Sequence, residues 1–105
     1  MNGLGSMIRV LREHRQLYLR QVASAIDIDQ ALLSKIERGE RRATKEQVLA
    51  LANFYKIAKH KLLAIWLGEK IAYEIKDEEN AIDALKIAEE TLEYLNGKKI
   101  QENNV

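Results

Sequence analysis

The 105-residue sequence contains no cysteine and no proline. Without cysteine, a disulfide scaffold and a thiolate metal site are both excluded, which fits a reducing interior. No apolar run approaches the ~20 residues of a membrane span, and the first ten residues carry no signal-peptide pattern. The expected location is therefore cytoplasmic, with no membrane partner. Constellations that carry chemistry are missing as well. His14 and His60 stand alone, without acidic neighbours at metal-ligand spacing. There is no glycine-rich phosphate cradle and no nucleophile–base arrangement. The carboxylate pairs Glu78-Glu79 and Glu89-Glu90 fall on solvated helix faces. No enzymatic activity, cofactor or metal is expected.

What is present suffices for a folded core. Hydrophobic residues make up 47% of the chain and charged residues 31%, which argues against general disorder. The length fits one compact domain, or one small domain with an appendage. A net charge of +1 says little by itself. Its distribution says more: Met1 to Lys59 holds eleven Lys/Arg against six Asp/Glu, whereas His60 to Val105 holds six against ten. A basic front and an acidic back would orient the protein on a polyanion, and chance segregation over two solvated surfaces is the plainer alternative.

Apolar spacing predicts helices throughout. Met7, Ile8, Val10 and Leu11 form a first helical pattern to about Arg15, with Ser6 as a candidate cap and a slightly earlier start as the alternative. Arg12, beside Leu11, is either a solvated charge or the partner of a carboxylate brought close by the fold. Leu17 to Ala25 forms the second helix, with Leu19, Val22, Ala23 and Ile26 inward; small Ala23 suits a close helix crossing. Asp27 occupies a turn position where φ is often positive, which Asp tolerates better than most residues. Asp29 reads as the N-cap of a third helix, Gln30 to about Arg38, anchored by Leu33 and Ile36 and stopped by Gly39. Thr44-Lys45-Glu46-Gln47 fits a capping box, so a fourth helix starts near Lys45 with Val48, Leu51, Ala52 and Tyr55 inward.

Two short helices joined by a tight turn, the second with a polar and partly basic face, have the form of a DNA-reading helix-turn-helix. Gln30, Ala31 and Ser34 lie on the outward, N-terminal side of the third helix, where such helices enter the major groove. A glutamine can bond adenine bidentately, and alanine or leucine methyls can touch a thymine methyl. Arg41 and Arg42, just before a helix start, suit phosphates, which determine position rather than sequence. The plainer reading is an amphipathic helix with a wet face, followed by two solvated arginines.

From His60 a long amphipathic helix is expected, with Leu62, Trp66 and Tyr73 near one stripe and Leu63, Leu67, Ile71 and Ile75 on another. Gly68 interrupts it at about 1 kcal/mol relative to alanine, so a kink or break is expected to fall there if anywhere. Trp66 reads as core ahead of a ligand platform. Asp77 is the expected cap of the last helix, Glu78 to about Asn96, with Glu78 and Glu79 in its first turn and Gly97 as its stop. Ala81, Leu85, Ala88, Leu92 and Leu95 are spaced 4, 3, 4 and 3 residues apart, a short heptad seam expected to dimerise. Packing on the chain's own Leu63–Ile75 face is the alternative. Lys98 to Val105 is expected to fray.

Residues Ile8 to Ile57 resemble the Xre, or lambda-repressor/Cro-like, helix-turn-helix regulators. The strongest segment is Leu33-Ser34-Lys35-Ile36-Glu37-Arg38-Gly39-Glu40-Arg41, supported by Leu11-Arg12-Glu13, Val22-Ala23 and Leu49-Ala50-Leu51-Ala52. The resemblance covers about half the chain. It implies an all-α fold: a five-helix lambda-repressor-like domain, its fifth helix beginning near His60, followed by one or two C-terminal helices. It implies that Arg12 pairs with Glu37 in a structural role. By position, Gln30, Ala31, Ser34 and Lys35 match the family's base-and-backbone readers. Arg20, Arg38, Arg41 and Arg42 are the cations expected on phosphates. The chain departs from the pattern in four places. Leu19 stands where a phosphate-touching glutamine is frequent, Asp27 replaces the usual turn glycine, and Ala43 replaces a frequent proline. Asp29 puts a negative charge near the groove, which weakens general affinity and favours cytosine through its N4 amine. More reliance on DNA shape is therefore expected.

The expected organisation is a DNA-binding domain over residues 1–68, a helical dimerisation extension over 69–97 and a frayed tail over 98–105. The expected function is that of a homodimeric, sequence-specific transcriptional regulator on duplex DNA, with a palindromic operator whose half-sites lie about 34 Å apart. The alternative is an antitoxin or protein-interaction adaptor that retains the fold and binds a protein partner through its acidic C-terminal helices, where Glu89, Glu90 and Glu93 lie.

Overall fold

A computed structural model describes residues 3–103. Among them are six α-helices and no strand: α1 (Leu4–His14), α2 (Leu19–Ala25), α3 (Gln30–Glu37), α4 (Lys45–Tyr55), α5 (Lys59–Ile75) and α6 (Ala81–Asn103). The chain divides into two compact units, Met1–Ile71 and Ala72–Val105.

The first unit is built around one apolar cluster. Leu4 and Ile8 of α1, Val22 and Ala23 of α2, Leu33 and Ile36 of α3, Val48, Leu51, Ala52 and Tyr55 of α4, and Leu62 of α5 are all buried in it. Each fully buried valine, leucine or isoleucine contributes roughly 1.5–3 kcal/mol over an exposed one. α3 packs against both α1 and α2. α1 reaches α3 closely at Gly5: a Cβ there would lie 2.8 Å from the Glu37 carbonyl oxygen and closer still to that of Ile36. Only a glycine lets the two backbones approach so near.

Local signals set most helix ends. Asp27 has φ of 57°, the left-handed conformation expected of the turn. The Asp29 carboxylate accepts from the Ala31 N–H at 3.1 Å and caps α3. The Thr44 hydroxyl accepts from the Gln47 N–H at 3.2 Å, while the Gln47 side chain accepts from the Thr44 N–H at 2.9 Å, completing the capping box. α5 passes through Gly68 without a break.

Other ends differ from expectation. α1 begins at Leu4 with Gly3 at the N-cap, so Ser6 lies inside the helix rather than capping it. The Glu69 carboxylate on α5 instead accepts the backbone N–H of Leu4, placing an anion at the positive end of α1. α2 begins at Leu19, two residues late, because Gln16 turns the chain with φ of 56° and the Gln21 side chain accepts from the Tyr18 N–H at 2.7 Å.

In the second unit, Asp77 does not cap α6. α5 runs to Ile75, and the chain then turns through Glu78 N–H to Ile75 O at 3.0 Å and Ala81 N–H to Glu78 O at 3.2 Å. Glu78 and Glu79 are consumed by this turn, and Asn80 takes the capping position, its carbonyl accepting from the Ala84 N–H at 2.9 Å. α6 then continues through Gly97, the expected stop, to Asn103. Its apolar side chains face solvent: Ile82, Leu85, Ile87, Leu92, Tyr94 and Leu95 are all exposed.

Candidate nucleic-acid interface

The turn from α2 to α3 presents one face of α3 outward. Leu33 and Ile36 hold the helix from beneath, fully or almost fully buried. On the other side Gln30, Ala31 and Lys35 are exposed and Ser34 is half-buried. Among the described residues, the side chains of Gln30, Ser34 and Lys35 find no partner within the protein. The four candidate base readers therefore lie along one short helix, and the polar side chains of Gln30, Ser34 and Lys35 are unengaged.

The far end of α3 is clamped. The Glu37 carboxylate is buried and accepts from the Arg12 guanidinium through Nε at 2.9 Å and Nη2 at 3.0 Å. Arg12 also donates to the Leu17 carbonyl at 3.0 Å, so one side chain ties α1, the α1–α2 turn and α3 together. The pair holds Arg12 above the ordinary arginine pKa, chiefly through the Glu37 hydrogen bond. Beyond Arg38, Gly39 adopts φ of 76°; its N–H donates to Ile36 O at 3.1 Å and the Glu40 N–H to Lys35 O at 2.9 Å. This pattern closes the helix with its last carbonyls satisfied.

The candidate phosphate cations are engaged to different degrees. Arg20, on α2, lies 4.7 Å from the Tyr18 ring. Arg38 pairs with Glu40 at 3.2 Å, both exposed. Arg41 is exposed with no side-chain partner among the described residues. Arg42 is docked on α5: it donates to the Trp66 carbonyl at 3.1 Å and lies 5.9 Å from the Trp66 ring centre. Two more contacts have no local signature in the sequence. The Trp66 indole N–H donates to the Ala43 carbonyl at 2.8 Å, and Arg15 donates to the Tyr55 carbonyl at 2.8 Å while lying over its ring. Trp66 is thus half-buried and hydrogen-bonded rather than simple core.

The sequence profile of the helix-turn-helix domain family matches residues 4–64, more than half the chain. The chain belongs to the helix-turn-helix domain family. Within that framework α2 is the first helix of the motif and α3 the second, joined by Ile26 to Asp29. Among solved structures, the helix-turn-helix chain is similar to the clp gene regulator ClgR from Corynebacterium glutamicum. The identity is 23%, over 88% of this chain and 84% of that one, with a TM-score of 0.53. That likeness speaks for the fold. Comparison with curated protein sequences returns no significant match.

The seam residues Ala81, Leu85, Ala88, Leu92 and Leu95 all lie on α6, outside the matched region. Leu85, Leu92 and Leu95 are 38%, 58% and 51% exposed. No helix among the described residues is long and apolar enough to cross a membrane. Likewise, no group of three or more His, Cys, Asp or Glu among them is placed to hold a metal ion.

Proposed function

We propose that this protein is a sequence-specific transcriptional regulator that binds duplex DNA as a homodimer and lays α3 in the major groove. The observation that carries the proposal is the contrast along α3. Its base is fixed by Leu33, Ile36 and the Arg12–Glu37 pair, while Gln30, Ala31, Ser34 and Lys35 turn unengaged groups outward. A rigid helix with a bare polar face is what direct readout of base edges requires. Gln30 would read adenine, Ala31 a thymine methyl, and Ser34 and Lys35 bases or backbone. Arg20, Arg38, Arg41 and Arg42 would hold phosphates. The similarity to a gene regulator supports the same reading.

The exposed apolar face of α6 supports dimerisation. A helix that exposes leucines at heptad spacing loses free energy in water, and a second copy would cover them. The dimer would also set two α3 helices about 34 Å apart and so favour a palindromic operator. Selection from random duplex sequence, followed by footprinting, tests both parts. The expected result is a symmetric site with major-groove protection in each half. An asymmetric or absent site would refute it.

The same exposed apolar face, beside Glu89, Glu90 and Glu93, favours one second reading: an adaptor or antitoxin whose α6 binds a different protein. A stable stoichiometric partner recovered with no retention on duplex DNA would select it.

A further inference from the structure

Among the described residues three exposed cations pair with a carboxylate, Arg9 with Glu13, Arg38 with Glu40 and Lys76 with Asp77, while others, Arg20 and Arg41 among them, do not. Arg42 and Lys70 are set apart by sharing one ring. Both approach the ring of Trp66, Arg42 at 5.9 Å and Lys70 at 5.8 Å from its centre, and neither has a carboxylate among the described residues. Two cations beside one ring repel each other, and the weak attraction of the ring does not neutralise either. An anion between them would offset that repulsion.

We infer that Arg42 and Lys70, gathered by Trp66, form one phosphate site that carries the DNA contact from the loop after α3 onto α5. The inference rests on the DNA-binding reading above. Trp66 is the positioning residue: its indole N–H holds the Ala43 carbonyl at 2.8 Å and its own carbonyl accepts from Arg42 at 3.1 Å. The loop is therefore fastened to α5 at two adjacent residues, and Ala43 is buried there at 5% exposure. A guanidinium has five N–H donors. The contact to Trp66 uses one, leaving the others for phosphate oxygens, and the bond fixes the side chain before DNA arrives. Lys70 adds a compact charge with three donors. Neither residue reads a base, so the site would raise affinity for all sequences alike.

The test measures duplex affinity against salt from about 50 to 200 mM for the wild type and for Lys70→Gln and Arg42→Gln. Each lost phosphate contact is expected to reduce the magnitude of the log–log salt slope by about 0.9. The loss should be equal on operator and unrelated duplexes, with the melting temperature of Lys70→Gln unchanged. Trp66 is the chain's single tryptophan, so its emission reports the site directly and should change on titration with duplex. Wild-type binding with an unchanged slope in Lys70→Gln would overturn the inference and leave the regulator reading standing. Failure of the wild type to bind any duplex would remove both. An emission change with inorganic phosphate at equal ionic strength, without a slope change in Lys70→Gln, would make this a free-phosphate site and overturn the DNA assignment.

Discussion

Replacing Glu37 by glutamine changes one oxygen to an amide nitrogen, yet it should be among the most damaging substitutions in the chain. The Glu37 side chain is 3% exposed and that of Arg12 15%. Their three N–H···O contacts run from 2.9 to 3.2 Å. A glutamine turns an N–H group toward a guanidinium that only donates and leaves its charge without a counterion. Breaking a buried pair in this way costs about 3–5 kcal/mol, and the partial exposure of Arg12 places the expectation near the lower end. For a domain of this size each kcal/mol lowers Tm by roughly 4–8 °C, so a fall of at least about 12 °C is expected in calorimetry or thermal circular dichroism. The double variant Arg12→Met, Glu37→Leu should recover most of the loss, because two apolar side chains need no counterion. The penalty should also be flat from about pH 6 to 9: Arg12 is raised above its ordinary pKa, so its contribution is complete below that pKa and lost only in stronger alkali. A loss under about 1 kcal/mol for Glu37→Gln, or a double variant no more stable than the single one, would refute the assignment of this pair as the clamp on α3.

Gly5→Ala should destabilise by about 1–3 kcal/mol in denaturant titration, because the new methyl meets the backbone carbonyls of Ile36 and Glu37, which cannot swing aside. An unchanged midpoint would mean that α1 and α3 are not that close. Lys56→Gly should stabilise by about 1 kcal/mol, since Lys56 ends α4 in the left-handed region with φ of 59°; a loss would show that the lysine stem contributes more than the strain it carries. Tyr55→Phe should raise stability at neutral pH by about 1 kcal/mol, because the buried hydroxyl has no hydrogen-bond partner among the described residues. Burial first, and then Glu37, raise the Tyr55 pKa, so its neutral form supports the fold up to the ordinary tyrosine range. Stability should then fall as pH rises past about 10, and the variant should remove that fall. Identical alkaline profiles would contradict the placement of the hydroxyl.

The parts of the fold that are legible in the sequence are those with local causes. Asp29, Gly39 and the Thr44–Gln47 box each act within about four residues, and each acts where its chemistry predicts. The inward residues of α4 follow from periodicity for the same reason. Gln16 and Lys56 adopt positive φ without being glycine, asparagine or aspartate, so no residue type announces those turns. The start of α6 is displaced to Ala81 because α5 runs on to Ile75 and a turn closed by the Glu78 and Ala81 N–H groups takes up the residues around the Asp77 cap signal. Arg12 and Glu37 stand 25 residues apart, and only the family resemblance connects them beforehand. The docking of Arg42 on Trp66 spans 24 residues with no motif to mark it, so Arg42 reads in sequence as a free loop arginine. At the candidate interface, the identities on the outward face of α3 are legible, and the way the following loop is fastened is not.

The central claim is that the outward face of α3 meets DNA. Backbone amide shifts, recorded as a duplex carrying the selected site is added to isotope-labelled protein, test it most directly. The account predicts the largest shifts from Gln30 to Lys35 and through Gly39 to Thr44, with the α6 amides little changed. Shifts confined to α6, with the Gln30–Lys35 amides unmoved at saturating duplex, would contradict it.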